Sequence, residues 1–314
     1  MSKLILLASV ALVGGNAFAS FELVMAADNG SSTTATRKIH RFDGDSGVYL
    51  GSFGAFNTDI REIQIKKGTN EAWVLTNGRM FVYDYNSGQL IADATVSATS
   101  FALDMVNSNI YFVNGTNVIS SANSSTIYSG FLSPSTLYTD PGATSIDRIA
   151  KNEFGVFLTH QVRAGTSYAY KYNSTFNANG NTVTYTAGSA PAQISVSASN
   201  SFLTTSTFIG IGRGSYIGST GTSFLASFTL NSLASATGAA GGHVGGYYTG
   251  KDITNTSRGL ITRVSMSGAE LNSFGSNVLV NPVSMASVVA PEPGTILALS
   301  AGIGAFLFKR RKRA

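Results

Sequence analysis

The sequence predicts an all-β fold, and two observations point to a β-propeller of about six to seven blades. From residue 21 to about residue 287, short runs of alternating apolar and polar residues are bounded by Gly, Asn, Asp and Ser, without sustained helical periodicity. A hairpin motif also recurs there at a mean spacing of about 44 residues, and repeats of roughly 40–45 residues are typical of propeller blades. A β-sandwich or a β-solenoid with similar hairpins is the structural alternative.

The predicted strands are rich in β-branched and aromatic residues, which suit a pleated, half-buried surface. The clearest are residues 63–66, 72–75, 80–83, 109–113 and 168–172. The region 195–250 is looser and rich in Gly, Ser, Thr and Ala. Within it, residues 234–246 predict a flexible loop, most simply an insertion in a blade. Residues 210–218 hold several glycines and are interpreted as a turn between strands.

The repeat is clearest at residues 39–50 and 80–91, which align at an offset of 41 residues. In both copies a strand ends in an aromatic residue and Asp, a turn carries Ser-Gly, and a second strand follows. A third good copy covers 261–275. With weaker copies included, the turns fall near residues 47, 88, 125, 174, 231 and 268. The motif Asp-x-x-Ser-Gly-x-x-Leu resembles the outer strands of bacterial propellers loosely grouped with quinoprotein and NHL-like repeats.

The charge distribution argues against a nucleic-acid partner. The chain has 314 residues, of which 21 are basic and 16 acidic. Lys3, the basic residues at 309–313 and Glu292 lie in the two terminal segments, so the region between them has equal numbers of basic and acidic residues. A nucleic-acid-binding domain normally carries a basic patch. Cysteine is absent, which excludes disulfides, thiolate metal sites and thiol catalysis.

Residues 1–19 have the order of a secretory signal peptide. Lys3 supplies a positive charge, an apolar run follows, and Ala17 and Ala19 provide the small residues before the cleavage point of signal peptidase. The apolar run is too short to cross the roughly 30 Å hydrocarbon layer of a bilayer as a helix. We therefore expect cleavage after Ala19 and export of the rest of the chain.

The tail, residues 288–314, contains three parts in order. Pro291-Glu292-Pro293 includes two residues without an amide donor and favours an extended, accessible segment. Residues 294–308 carry no charge, and as a helix they would measure roughly 22 Å, short of a full membrane span. Basic residues follow, which stop transfer and stay cytoplasmic under the positive-inside rule. They are Lys309, Arg310, Arg311, Lys312 and Arg313.

These three parts resemble the PEP-CTERM sorting domain of Gram-negative bacteria, over about residues 290–314. The resemblance implies that exosortase, a membrane cysteine protease-transpeptidase, processes the chain at Pro291, Glu292 and Pro293. It also implies an inner-membrane intermediate held by the C-terminal helix. The product would be attached to the cell surface or released into the extracellular matrix of a species that makes exopolysaccharide. An ordinary membrane anchor that is never processed is the alternative.

Few residues between the signals point to chemistry, and no catalytic or cofactor-binding residue is predicted. His40, His160 and His243 are far apart and in no metal-binding spacing, so each is interpreted as structural or superficial. Asp43 and Asp45 are candidate calcium ligands, although a hairpin turn explains them more simply. Clustered tyrosines suit the binding of sugar rings, but strand tyrosines mostly pack on neighbours. They are Tyr83, Tyr85, Tyr168, Tyr170, Tyr172, Tyr247 and Tyr248.

The sequence therefore predicts an exported, surface-sorted protein whose propeller domain, residues 20–287, acts in binding, adhesion or matrix structure without catalysis. Its expected partners are signal peptidase, exosortase and, before processing, the membrane, with exopolysaccharide as a candidate ligand. The alternative is an extracellular propeller enzyme of the lyase or lactonase type. Such an enzyme would gather His and Asp or Glu side chains around one central channel.

Overall fold

A computed structural model describes residues 20–31, 36–104, 107–173, 176, 182–184, 192–197, 199–222, 224–242 and 245–291. Within these residues the chain forms six sheets of four strands each. One strand of every sheet contacts the corresponding strands of both neighbouring sheets, and these contacts close a ring. The all-β propeller prediction is confirmed, and the number of blades is six.

The strands, numbered along the chain, are given from the central axis outward. Blade one contains β24 (Pro282–Pro291), β1 (Ser20–Asp28), β2 (Lys38–Asp43) and β3 (Tyr49–Phe53). Blade two contains β4 (Ile60–Lys66), β5 (Glu71–Thr76), β6 (Arg79–Asp84) and β7 (Leu90–Thr95). Blade three contains β8 (Ser100–Leu103), β9 (Asn109–Val113), β10 (Val118–Asn123) and β11 (Ser135–Thr139), with a 3₁₀-helix at Ser124–Ser129.

The remaining blades follow the same order. Blade four contains β12 (Ser145–Lys151), β13 (Phe157–Arg163), β14 (Thr166–Tyr172) and β15 (Thr182–Thr184). Blade five contains β16 (Ile194–Val196), β17 (Phe202–Phe208), β18 (Ile211–Ile217) and β19 (Phe224–Leu230). Blade six contains β20 (Gly238–Gly241), β21 (Gly245–Lys251), β22 (Gly259–Ser265) and β23 (Glu270–Phe274).

Blade one closes the ring with strands from both ends of the described chain. β24 pairs antiparallel with β1 from Ser20 opposite Pro291 to Asp28 opposite Pro282. β24 also contacts β4 of blade two and β20 of blade six. The first and last strands of the described chain thus lie in one sheet, and this shared blade closes the ring.

The pairing register defines two faces of the propeller. In blade one, Val288 pairs with Leu23, and Leu23 pairs with Asp43 at the end of β2. The end of the innermost strand and the turn between the two outer strands therefore lie on the same face. The C-terminal ends of innermost strands line one cavity, and N-terminal ends line another. These innermost strands therefore run in the same direction along the central axis. We call the face on which they end the exit face, and the opposite one the entry face.

The hydrophobic core lies between neighbouring blades. Between blades two and three, for example, Trp73, Met80 and Phe101 are fully buried in one cluster. The 3₁₀-helix contributes Ile127 to the same cluster, so the chain between β10 and β11 is packed as well. Burial on both sides of each sheet replaces the disulfides that a chain without cysteine lacks.

The turn predicted near residue 231 is wrong. β19 ends at Leu230, and the N–H of Leu233 bonds to the carbonyl of Leu230, where the chain passes to blade six. The outer turn of blade five lies instead between β18 and β19. The glycine-rich stretch from residue 210, interpreted as a turn, forms β18 itself. The weak repeat copy at residues 224–233 is misaligned by one strand because it lacks the Asp and Ser-Gly residues of the clear copies. The turns predicted near residues 125 and 174 do fall between the outer strands of blades three and four.

The flexible loop predicted at residues 234–246 is also wrong, because this stretch includes β20, the innermost strand of blade six, and the start of β21. Its glycines lie where backbones approach closely. A Cβ on Gly241 would lie 2.4 Å from the Cα of Ser197, and one on Gly238 would lie 2.9 Å from the carbonyl carbon of Ser284. Small residues here allow tight packing around the axis, a role that composition alone does not distinguish from flexibility.

No helix among the residues that the structure describes is long and apolar enough to cross a bilayer. The predicted signal peptide with Ala17 and Ala19 and the predicted tail helix at 294–308 lie outside those residues. So do Glu292, Pro293 and the basic residues 309–313. These predictions stay predictions.

Candidate functional site

The central channel is the first candidate site, and its walls are tied together from blade to blade. In three successive places, a side chain of one innermost strand accepts a hydrogen bond from a backbone N–H of the next. The bonds are Ile63 N to Ser284 Oγ (3.1 Å), Phe101 N to Glu62 Oε2 (3.3 Å) and Ile149 N to Ser100 Oγ (3.2 Å). These buried bonds satisfy backbone donors that a blade cannot satisfy by itself.

Gln193 makes two such connections. Its Oε1 accepts from Ala239 N at 2.9 Å and from Met285 N at 3.0 Å, and its Nε2 donates to the Met285 carbonyl at 3.0 Å. The corresponding residue of blade six is Gly238, which has no side chain to offer blade one. Gln193 therefore reaches across blade six and holds blades five, six and one together.

Two charged residues of the innermost strands, Glu62 and Arg148, affect each other. Glu62 is buried and accepts a hydrogen bond from Gln64 Nε2 at 2.8 Å. Burial raises the pKa of Glu62 to about 7, against the opposing effects of hydrogen bonds from Ser100 and Gln64 and the positive charge of Arg148. Arg148 Nη1 donates to the Asp147 carbonyl at 2.8 Å. The contact between blades two and three thus holds a buried carboxyl group with a raised pKa.

The exit mouth of the channel is a cavity of about 250 Å³. Its charged side chains are paired with one another. Lys67 Nζ contacts Glu153 Oε1 at 2.5 Å, and Asn200 Nδ2 donates to Glu153 Oε2 at 3.3 Å. Deeper in, Lys151 forms a buried ion pair with Asp104 at 3.0 Å. Ser287 and Val288 of β24 line the same cavity.

The entry mouth is a cavity of about 320 Å³ with a more polar lining. Arg61 donates to Asn77 Oδ1 through Nη2 at 2.7 Å and through Nε at 3.1 Å. Asp59 is more than half exposed and pairs with Arg37 at 2.8 Å. Asn29 exchanges two hydrogen bonds with the backbone of Ile60. Amide, guanidinium and carboxylate groups therefore meet at one open depression.

The structure does not bring His40 and His160 together, because they lie in β2 of blade one and β13 of blade four. His40 Nε2 lies 3.9 Å from Asp28, and burial lowers the pKa of His40. His160 is buried, with Nδ1 3.5 Å from Asp147. Across the described ranges, no three His, Asp or Glu side chains are grouped as metal ligands. His243 is outside those ranges.

The carboxylates of the candidate calcium site have protein partners. Asp43 Oδ1 accepts from Asp45 N at 2.9 Å and from Ser46 N at 2.8 Å, as expected for the hairpin turn. Asp45 forms an ion pair with Arg263 of blade six at 2.9 Å. The geometry supports the turn interpretation of Asp43 and gives Asp45 a contact between blades.

Most of the clustered tyrosines lie inside the blades. Tyr172, Tyr247 and Tyr248 are fully buried, and Tyr247 donates to Glu22 Oε2 at 2.7 Å. Tyr172 donates to Asp140. Burial and the negative charge of Glu22 raise the pKa of Tyr247 far above its usual range. These rings pack on neighbours and do not present a surface to a sugar.

Comparison with known proteins adds the fold but no family. The sequence matches no protein-family profile and no curated protein at a significant level. The chain has a propeller fold. It is similar to a chain of a nidogen/laminin complex, with 12% identity and a TM-score of 0.62 over 86% of this chain and 99% of that one. It is also similar to TolB from Acinetobacter baumannii, with 14% identity and a TM-score of 0.59 over 86% of this chain and 67% of that one.

A third similar structure is a protein of unknown function from Bacteroides caccae, with 11% identity and a TM-score of 0.55 over 86% of this chain and 99% of that one. At these identities the likeness concerns the fold alone.

Sequence reasoning missed the polar residues of the channel, although one signal was present. In β4, Glu62 and Gln64 alternate with Ile63 and Ile65. Such alternation normally indicates a strand with one solvated face. Here Glu62 and Gln64 instead accept hydrogen bonds from Phe101 N and Leu103 N of blade three. The pattern therefore marks a polar contact between two innermost strands.

Proposed function

We propose that this chain is an exported cell-surface or matrix protein with a non-enzymatic binding or adhesion domain and an exosortase sorting tail. One observation carries the proposal. Within the described residues, the first strand of the propeller starts at Ser20, directly after the predicted cleavage at Ala19, and the last ends at Pro291, the first residue of the Pro-Glu-Pro motif. Removal of both signals would therefore leave all six blades intact.

The closure of blade one supports export of the whole chain before folding is complete. β1 must pair with β2 on one side and with β24 on the other. Because β24 is the last strand, the ring closes only when both ends of the domain are in one compartment. Such long-range pairing is slow to form, which suits a chain that folds after translocation.

The predicted domain boundary at residue 287 falls inside β24, which continues to Pro291. Ser287 and Val288, near the end of this strand, lie at the exit mouth. The processing motif thus begins at Pro291, the last residue of a strand that is paired with β1. We propose that exosortase acts on the segment after Pro291, where the chain leaves the sheet.

The entry mouth supports a binding role for the propeller, with exopolysaccharide as the proposed ligand. Its amide, guanidinium and carboxylate groups are of the types that can exchange hydrogen bonds with the hydroxyl groups of a sugar. We expect Arg61→Ala to weaken retention of the propeller on exopolysaccharide from the native host. Lys67→Ala, at the exit mouth, is the matched control and should bind as the wild type does. Equal binding by all three proteins would remove this mouth as the site.

Sorting is tested by mass spectrometry of the mature protein from surface and medium fractions of the native host. We expect an N-terminus at Ser20 and a C-terminus between residues 291 and 294, free or modified. Glu292→Gln should leave an intact tail in the membrane fraction, whereas Glu153→Gln on the propeller surface should be processed normally. An unprocessed tail in the wild-type protein would contradict sorting and leave an anchored domain.

A further inference from the structure

We propose that the exit face is a lipid-facing surface, so that the propeller lies with this face on the bilayer while the tail is in the membrane. The inference rests on the proposed function, because it takes residues 294–308 to be inserted. The inference goes beyond the proposed function because it states which face of the propeller lies toward the bilayer and which lies away from it.

The first step is the position at which the chain leaves the fold. β24 is an innermost strand and runs toward the exit face, where Ser287 and Val288 line the channel mouth. The chain therefore leaves the exit face near the central axis and not at the rim. A tether at the centre of a disc holds the whole face, whereas a tether at the rim would let the disc stand on edge.

The second step is the length of the tether. Only Glu292 and Pro293 separate the end of β24 from the uncharged run that starts at Gly294. Two residues span at most about 7 Å even when fully extended. Pro291, where β24 ends, is therefore separated from the start of the inserted run by at most about 7 Å of chain, which keeps the exit face near the surface of the bilayer.

The third step is the composition of the face. Most of the exposed large apolar side chains in the described part of the chain lie on the exit face or its outer rim, many of them at the start of outer strands. They are Val48, Tyr49, Leu50, Leu90, Ile91, Tyr128, Phe131, Phe154, Phe224, Leu225, Met266 and Leu271. The entry face carries fewer. They are Ile209, Ile211, Ile253 and Val280.

Exposed apolar patches on an exported domain indicate a membrane or protein contact, and here the tether selects the membrane. Side chains such as Phe154, which is 69% exposed, and Leu225, at 59%, are placed to enter the headgroup region. The entry mouth then faces away from the cell. The proposed ligand-binding surface and the lipid-facing surface are thus on opposite faces.

The test uses the full chain, which lacks cysteine, reconstituted in vesicles of phosphatidylethanolamine and phosphatidylglycerol. Single cysteines are labelled with a fluorophore, and quenching by spin-labelled lipid is measured. Met266→Cys and Ile253→Cys form a matched pair, since they flank the same strand, β22, on the exit and entry faces. Leu225→Cys and Ile209→Cys form a second pair in blade five.

We expect quenching to be roughly threefold or more stronger at Met266→Cys and Leu225→Cys than at their partners, because apolar side chains at an interface enter the headgroup region. Adding Phe154→Ser with Leu90→Ser should reduce quenching at Met266→Cys, whereas adding Ile209→Ser should not. Equal quenching on both faces in vesicle-bound protein overturns this inference alone. Protein that does not float with vesicles overturns the membrane intermediate as well. Self-quenching that rises with protein concentration would instead assign the face to a second copy of the chain.

Discussion

Blades two and six have the same four-strand order but distribute their side-chain volume in opposite ways. In blade two, Ile63 of the innermost strand pairs with Val74 of the second strand. In blade six, Ala239 pairs with Tyr248. The two positions correspond, because Ile63 N and Ala239 N each donate to a side chain of another blade.

The difference shows that the total side-chain volume of paired strands matters more to a blade than which strand carries the large residue. Blade six has glycine and alanine at the axis and compensates with Tyr248, whose ring packs edge-on against Phe228 at 5.5 Å and Tyr216 at 6.4 Å. Blade two has medium-sized residues in both strands. Interiors are close-packed, so either distribution fills the same space.

The largest expected loss of stability comes from truncating the second strand of a blade, at Tyr248 in blade six or at the corresponding Val74 in blade two. Tyr248→Ala should lower the free energy of unfolding by about 4 kcal/mol, because it opens a large cavity between blades five and six. Val74→Ala, the matched change in blade two, should cost about 2 kcal/mol. Chemical denaturation measures both. Equal losses of unfolding free energy would show that blade six collapses around the missing ring. Tyr248 would then not fill the volume that the small residues at the axis leave open.

The second effect concerns the small residues at the axis. Gly241→Ala should cost about 3 kcal/mol, because the new methyl group meets backbone that cannot move aside. Gly68→Ala is the control, since Gly68 has a positive φ of 78° and no neighbour within 4 Å of an added Cβ. It should cost about 1 kcal/mol from backbone strain alone. A mild effect at Gly241 would contradict the close approach of blades five and six.

The third effect uses the buried carboxyl group of blade two, which has no counterpart at Gly238 of blade six. Burial raises the pKa of Glu62 to about 7 in the folded protein. At a pH between the ordinary pKa of a glutamate and 7, the folded protein therefore keeps a proton that the unfolded chain has released. Stability should therefore fall as the pH rises, by about 2 kcal/mol between about pH 5 and pH 8.

Denaturation midpoints at several pH values measure this slope. Glu62→Gln should remove it, whereas Glu153→Gln should leave it unchanged, because the pKa of Glu153 is lowered by Lys67 and its titration falls below this window. A slope that survives Glu62→Gln would assign the titration to another group.

The smallest effect compares the outer turns of the two blades. In blade two, Asp84 Oδ1 accepts from Asn86 N, Ser87 N and Ser87 Oγ. In blade six, Ser265 Oγ accepts from Ala269 N, and the turn is one residue shorter. Asp84→Ala should lower the free energy of unfolding by about 1 kcal/mol, because it removes a charged acceptor that has several donors. Ser265→Ala should lower it by only about 0.3 kcal/mol, because it removes a neutral acceptor. A larger loss at Ser265 would reverse the ranking.

The sequence by itself determined the class of fold and its repeat. Alternation placed β4, β5, β6, β9 and β14 correctly, because strand periodicity and turn chemistry are local properties of the chain. The Ser-Gly residues of blades one, two and six, with Asp43 and Asp84 in the first two, marked true outer turns for the same reason. The two end signals are likewise local patterns, and their prediction rests on the sequence alone.

Only the tertiary structure decided the rest. It set the number of blades at six, assigned β20 to the axis in place of a loop, and linked neighbouring blades through Glu62, Arg148 and Gln193. It also determined that β24 runs to Pro291 and leaves the fold at the centre of one face. These features depend on which strands meet across long separations, and the packing of one blade on the next is not encoded in any short segment of the chain.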